Sequence, residues 1–320
     1  MKSANRMMAV GLNPALQKLI YFPVFIEGQV NRADTLAFIS GGKAANFAKA
    51  ANNFGTETII YQFSGGPAGD NYRNILDSEK LSFVNELTKS ETRTCSTIMS
   101  GKSSEVTEII EPSGLISEIE AKKLLAKIIS DIKNYQGIAI CGTYPPGIKP
   151  KFYAKIAEQA LKHNIPLLLD ACINIIPVLE QGIEILKINM DELKSLTKCR
   201  KPDTAAKAIF AKFNVKILAI TDGALPSHLF LKNSVPGQKT SFSHYEYKVP
   251  QLQRIVNPIG AGDTVSAILL SEYIAGKPIH EAFKTAIAAG SASCMTKQNA
   301  CFDVKLAKKL AAKDIKLNEI

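Results

Sequence analysis

Short runs of Ile, Val, Leu and Met recur along the chain, each four to six residues long, with longer amphipathic stretches between them. Runs of that length that end in polar or glycine-bearing residues predict strands at 7–12, 58–63, 137–141, 166–169, 185–188 and 216–220. Between them, apolar residues at helical spacing predict helices at 43–54, 117–135, 151–163, 203–213, 263–275 and 280–296. The first of these stops at Gly55, a residue suited to the left-handed turn that closes a helix. Strands that are apolar on both faces must be covered on both faces. The alternation therefore predicts an α/β fold, a mostly parallel sheet between two helix layers. Residues 14–40 and 88–112 break the rhythm. They carry Thr, Val, Ile and aromatic residues without a helical period, and predict a small antiparallel sheet standing off the main layer. With no internal repeat and no Pro/Ser-rich linker, residues 1–320 read as a single domain.

Composition narrows the function classes. At 46% hydrophobic residues the chain has ample apolar material for a core, which excludes low-complexity disorder. Lys and Arg number 39 against 29 Asp and Glu, a net charge of +10 that suits an anionic partner such as nucleic acid, a membrane surface or a phosphorylated metabolite. Nucleic acid is disfavoured, because there is no zinc-ligand set, no basic block of five and no Trp for base stacking. No membrane partner is expected, since no run approaches the roughly 18 apolar residues of a membrane span. No signal-like apolar stretch follows the first residues, and a cytoplasmic location is expected. The cysteines at 95, 141, 172, 199, 294 and 301 form no C-x-x-C pair, and reduced thiols are expected. The histidines at 163, 228, 244 and 280 are scattered and expected to face solvent. The P-loop, H-E-x-x-H and G-x-S-x-G motifs are absent from the sequence.

In an open parallel sheet, ligands bind beyond the carboxyl ends of the strands. The segments there read Asn13-Pro14-Ala15, Ser64-Gly65-Gly66, Gly142-Thr143-Tyr144-Pro145-Pro146-Gly147, Asp170, Asn189-Met190-Asp191-Glu192 and Thr221-Asp222-Gly223. The most informative segment is Asn257-Pro258-Ile259-Gly260-Ala261-Gly262-Asp263-Thr264, which leads into an apolar helix. Small residues let backbone N–H groups converge, and a helix N-terminus adds its positive end, so the turn suits a phosphate. Asp263 at its mouth has two readings. It is either a general base for a hydroxyl attacking a phosphate, or only the N-cap of the helix.

Gly260-Ala261-Gly262-Asp263 resembles the C-terminal signature of the ribokinase-like, or PfkB, family of sugar kinases. Gly41-Gly42-Lys43-Ala44-Ala45-Asn46 resembles its N-terminal Gly-Gly-Lys-Gly-x-Asn signature. Leu12-Asn13-Pro14-Ala15-Leu16 and Gly28-Gln29-Val30-Asn31-Arg32 resemble its 1-phosphofructokinase and tagatose-6-phosphate kinase branch. Thr92-Arg93, the Gly142–Gly147 loop, Lys187-Ile188-Asn189 with Glu192, and Thr221-Asp222-Gly223 follow in the same order as that branch's counterparts. The likeness spans roughly residues 7–300.

This resemblance implies a three-layer αβα ribokinase-like fold with a small β-sheet lid near 14–40 and 88–112. It implies ATP- and Mg²⁺-dependent phosphorylation of a sugar phosphate: fructose 1-phosphate, fructose 6-phosphate or tagatose 6-phosphate. It makes Asp263 the general base and the N–H groups of Gly260, Ala261 and Gly262 an anion hole. Gln17, Gly41, Gly42, Lys43, Asn46, Arg93 and Thr143 become substrate-binding residues, with Arg32 a further basic candidate. Asn189, Thr221, Gly223 and Ala289 become nucleotide-binding, and Glu192 helps place Mg²⁺ through water. Family members often pair through the lid, so a homodimer is expected.

The sequence departs from the pattern at several places. Gln17 stands where the branch has Asp, Ala44 replaces a glycine, Tyr144 replaces an aliphatic residue, and Ala224-Leu225-Pro226-Ser227 lacks a further glycine. Gln17 keeps two alternatives open: a kinase of an unphosphorylated sugar or nucleoside, and a non-catalytic sugar-phosphate-binding regulator.

Overall fold

The computed structural model describes residues 5–101, 106–233, 241–252, 254–313 and 315–319. Residues 102–105, within the expected 88–112 segment, lie outside the described residues. In chain order the strands are β1 (Arg6–Val10), β2 (Ala15–Phe22), β3 (Thr35–Gly41), β4 (Glu57–Ser64), β5 (Ser82–Leu87), β6 (Thr94–Ser100), β7 (Val106–Ile110), β8 (Gly137–Cys141), β9 (Leu167–Asp170), β10 (Ile183–Asn189), β11 (Val215–Asp222), β12 (Leu225–Asn233), β13 (Ser241–Lys248) and β14 (Lys316–Glu319). The helices are α1 (Lys43–Phe54), α2 (Gly66–Ser78), α3 (Glu118–Asp131), α4 (Lys151–Lys162), α5 (Ile176–Leu179), α6 (Met190–Thr197), α7 (Pro202–Lys212), α8 (Ala261–Ile274), α9 (Ile279–Ser293) and α10 (Val304–Lys313). Every predicted strand and helix is present.

The main sheet runs β14-β13-β12-β11-β10-β9-β8-β1-β4-β5. From β11 to β5 the neighbours are parallel, and β12, β13 and β14 extend one edge in antiparallel fashion. Side chains alternate between two cores, as strands covered on both faces require. Met8, Val10, Ile138 and Ile140 pack with α3 and α4 residues such as Ile128 and Ile156, while Met7, Ala9 and Ala139 pack with Phe47, Leu269 and Ala286 on the opposite face. Ala is abundant along α1 and α9, and these small side chains let both helices lie close to α8.

The second sheet has the order β3-β2-β6-β7. It corrects the antiparallel expectation. The outer pairs are antiparallel, but β2 and β6 run parallel, Gln17 opposite Cys95. The reason is connectivity: β2 and β6 are separated by α1, β4, α2 and β5, so the chain re-enters the small sheet from the same end.

All six cysteines are free, Cys95 and Cys141 buried. The solvent-facing expectation fails for two histidines. His228 on β12 and the buried His244 on β13 meet diagonally across the strand pair, Nδ1 to Nε2 at 3.1 Å, and His244 Nδ1 lies 3.0 Å from an Asp203 carboxylate oxygen. Cross-strand register puts them next to one another, which sequence spacing does not reveal. Among the described residues no helix is long and apolar enough to cross a membrane.

Candidate active site

Strands β1, β4 and β5 run outward in one direction and β8 to β11 in the other, so strand order reverses between β1 and β8. Such a switch point leaves a crevice at the carboxyl ends, because the following segments diverge to opposite sides. A pocket of about 180 Å³ opens there, bordered by Gly11, Gly41, Gly42, Lys43, Arg93, Thr143, Asp170 and Glu192 among others. The glycines make room for it. Gly42 caps α1 with φ +100°, and a Cβ at Gly41 would come within 2.9 Å of the Ala15 carbonyl oxygen.

Asp263 is buried and does not itself border the pocket, but it contacts Lys43, which does. It is not the N-cap of α8. That place belongs to Gly260, at φ +81°, and Asp263 stands in the first turn, where the helix dipole favours a negative charge. Its carboxylate bonds to side chains of α1. Asn46 Nδ2 donates to Oδ2 at 2.8 Å and the Lys43 ammonium lies 2.8 Å from Oδ1. The same ammonium is 3.1 Å from Asp170 Oδ1. The other Asp170 oxygen accepts from the Ser266 hydroxyl at 2.6 Å and lies 3.7 Å from Lys187 Nζ. Two lysines and two carboxylates thus alternate in one cluster. Burial alone would raise the Asp170 carboxyl, but Lys187, Lys43 and the Ser266 hydroxyl outweigh it and hold the group below the usual carboxylate range. Burial likewise opposes the charge on Lys43, and Asp170 and Asp263 override it, raising the ammonium well above its ordinary value.

Asp170, Lys187 and Ser266 were not anticipated as site residues. The signal for Lys187 was present: a cation inside an otherwise apolar strand, now 3% exposed, needs a partner. The signal for Asp170 was its place at the end of β9.

The sugar-side residues divide. Gly41, Gly42, Lys43, Arg93 and Thr143 all border the pocket. Arg93 also braces the Asn13-Pro14 turn, donating to the two carbonyls at 3.2 and 3.4 Å. Thr143 is exposed and accepts from Asn13 Nδ2 at 3.3 Å. Gln17 does not open onto the pocket. It is buried in the small sheet, where its amide donates to the Thr97 hydroxyl. Strand alternation turns it inward, against Gly41. Arg32 is exposed on the β2–β3 connection, outside the pocket lining. Two departures from the family pattern are absorbed by packing. The Ala44 methyl fits because residue 11 is glycine, where a Cβ would lie only 2.3 Å from it. The Tyr144 ring packs edge-on against Tyr153, centroids 5.5 Å apart.

On the nucleotide side, Asn189 ends β10 directly opposite Thr221 at the end of β11. Asn189 and Glu192 form a reciprocal capping box on α6: the Asn side chain accepts from the Glu192 N–H, and the Glu carboxylate accepts from the Asn189 N–H, both at 2.8 Å. The N-x-x-E spacing therefore has a structural role here, and Glu192 still borders the pocket. Gly223 adopts φ +58° in the exposed turn from β11 to β12. Two expected site residues have structural partners. Ala289 is fully buried where α9 packs on α8. The Ala261 N–H donates to the Pro258 carbonyl at 3.2 Å, closing the turn. Gly262, in the first turn of α8, keeps an N–H with no intrahelical acceptor. Among the described residues no three His, Cys, Asp or Glu side chains form a metal cluster.

Comparison with known proteins agrees with this geometry. The chain is 25% identical over 302 residues to the tagatose-6-phosphate kinase of Staphylococcus epidermidis, covering 91% of this chain and 93% of that one. Escherichia coli phosphofructokinase-2, solved in complex with fructose-6-phosphate, superposes with a TM-score of 0.81 at 21% identity, over 96% of this chain and 98% of that one. A tetrameric inhibited form of that enzyme matches with the same TM-score. A Thermotoga maritima protein described as a possible 1-phosphofructokinase gives a TM-score of 0.85 at 17% identity, over 99% and 100% of the two chains. The model of the pfkB family of carbohydrate kinases matches residues 7–304, and the chain belongs to that family.

Proposed function

We propose that the chain phosphorylates a ketohexose phosphate with ATP, Asp263 acting as general base. The observation that carries this reading is the placement of a buried carboxylate in the first turn of α8, beside a pocket at the strand-order switch point whose rim holds Lys43 and Arg93. A sugar hydroxyl entering that pocket meets Asp263, whose orientation is fixed by Asn46. The proton passes to the carboxylate as the hydroxyl oxygen attacks the γ-phosphorus, and ADP leaves with the bridging oxygen. The Gly262 N–H and the positive end of α8 face the charge that develops on the transferring group. Arg93 and Lys43 take the phosphate that the sugar already carries; a guanidinium suits a dianion through paired N–H groups.

Asn189 and Thr221, side by side at the ends of β10 and β11, border the nucleotide, with the Gly223 turn next to them. Glu192 would hold Mg²⁺ through water, and the ion would neutralise the nucleotide phosphates. The small sheet, roughly 14–40 and 88–112, acts as a lid on the single domain. It also pairs two copies of the chain. Phe38, Lys18, Ser96 and Ile109 form one row across its four strands, and Phe38 and Ile109 are 43% and 54% exposed. The tetrameric form of a structural relative is in keeping with association.

An ADP-release assay with Mg-ATP and a panel of fructose 1-phosphate, fructose 6-phosphate, tagatose 6-phosphate and the free ketohexoses tests the reading. Turnover of at least one sugar phosphate well above the free sugars is expected. Absence of turnover with every sugar phosphate refutes it.

A further inference from the structure

We infer that Lys43 couples recognition of the substrate's phosphate to release of the catalytic base, and so determines specificity for phosphorylated over free sugars; the inference rests on the kinase reading above. In the structure both oxygens of Asp263 carry a donor, the Lys43 ammonium on Oδ1 and the Asn46 amide on Oδ2, each at 2.8 Å. The two donors differ in effect. The neutral amide orients the carboxylate. The ammonium covers the other oxygen, Oδ1, and stands where a sugar hydroxyl would have to donate.

Lys43 is placed to leave. Its side chain is 36% exposed on the pocket wall, whereas those of Asp263 and Asp170 are 8% and 2% exposed. A second carboxylate, Asp170, is already 3.1 Å from the ammonium, and Asp170 is itself anchored by Ser266 and Lys187. The ammonium can therefore move off Asp263 and keep a counter-ion. Its four-carbon stem is flexible and runs past Gly142, where a Cβ would come within 3.0 Å of Lys43 Cδ. The glycine leaves the stem room.

A ligand that displaces one carboxylate from an ammonium must itself be a strong anion. A phosphate dianion entering the pocket meets that condition; the hydroxyl of a free sugar does not. Phosphate binding draws Lys43 off Oδ1 and opens that oxygen to the sugar hydroxyl. The hydroxyl proton then moves to Asp263, an O–P bond forms at the γ-phosphorus, and the bond to the β–γ bridging oxygen breaks with its electron pair leaving on ADP. Lys43 keeps its proton throughout.

The test measures fructose turnover with Mg-ATP, with and without inorganic phosphate, for the wild type, Lys43→Met and Lys43→Arg. In the wild type, added phosphate should raise fructose turnover several-fold. Lys43→Met should turn over fructose faster than the wild type, ignore added phosphate and lose turnover of the sugar phosphate, so that discrimination collapses. Lys43→Arg should keep part of the phosphate response. The coupling is overturned if phosphate inhibits wild-type fructose turnover or leaves it unchanged. It is overturned equally if Lys43→Met loses both substrates in proportion. Should Lys43→Met not fold, the wild-type response to phosphate decides alone. A wild type that turns over no sugar phosphate overturns the kinase reading instead, which keeps the two failures apart.

Discussion

At the scale of single residues, the proposed chemistry rests on the two side chains that hold the Asp263 carboxylate. Lys43 and Asn46 both tie α1 to α8, and they stand three positions apart, so one helical turn supplies both partners of the carboxylate. On the proposed mechanism, replacing Asp263 by Asn removes the proton acceptor and keeps the shape. Turnover should fall by about 10²–10⁴-fold, the usual contribution of a general base, with ATP affinity by calorimetry nearly unchanged. Activity that survives the substitution would exclude Asp263 as the base. A second residue-scale prediction concerns Ala44. Its methyl occupies the space that Gly11 leaves, so Gly11→Ala should destabilise the fold by about 1–3 kcal/mol through overpacking. Adding Ala44→Gly should restore much of the loss in a urea titration. Equal stability of the single variant and the wild type would show that the contact relaxes freely.

At the scale of elements, the strands and helices that form the middle of the main sheet were legible because their periodicity is strong. Residues 43–54 were predicted as a helix and form α1 with those bounds. The edge elements were not legible. β12 and β13 carry polar residues at mixed spacing, and the short α6 is defined by its capping box more than by an apolar stripe. The site was legible in part for the same reason. Glycines and Asp263 announce themselves in a short motif, whereas Asp170, Lys187 and Ser266 meet only when β9, β10 and α8 are brought together. Gln17 shows the opposite case: its position in the motif points to substrate, whereas its side chain bonds to Thr97 within the small sheet.

The β12–β13 pair also carries a pH dependence. Burial holds both His228 and His244 below the usual histidine range; at His228 the neighbouring His244 adds to this, and at His244 the Asp203 carboxylate works against it. A histidine whose value is lowered by folding contributes stability above its unfolded value of about 6.5, lost as the pH falls through the folded value. The urea midpoint should therefore drop between roughly pH 7 and pH 5, and drop less in the double variant His228→Gln/His244→Gln. Parallel profiles for the two proteins would remove the pair as the cause.

At the scale of the whole molecule, two sheets divide the work. The main sheet sets the switch-point crevice, and the small sheet brings Arg93 and Gly41 to its rim. The net charge of +10 gains a local meaning, since Lys43 and Arg93 border one pocket and Lys187 lies beside Asp170, which borders it too. If the exposed row on the small sheet pairs two copies, Phe38→Glu should convert a dimer into a monomer by sedimentation equilibrium; a monomeric wild type would contradict the pairing. The most direct test of the central claim follows the phosphorus itself. In ³¹P NMR of the wild-type protein with Mg-ATP and the preferred ketohexose phosphate, the γ-phosphate signal should decline as a second sugar phosphomonoester signal grows one for one, and Asp263→Asn should show neither change. A γ-phosphate that passes only to water, or transfer that persists in Asp263→Asn, would contradict the account.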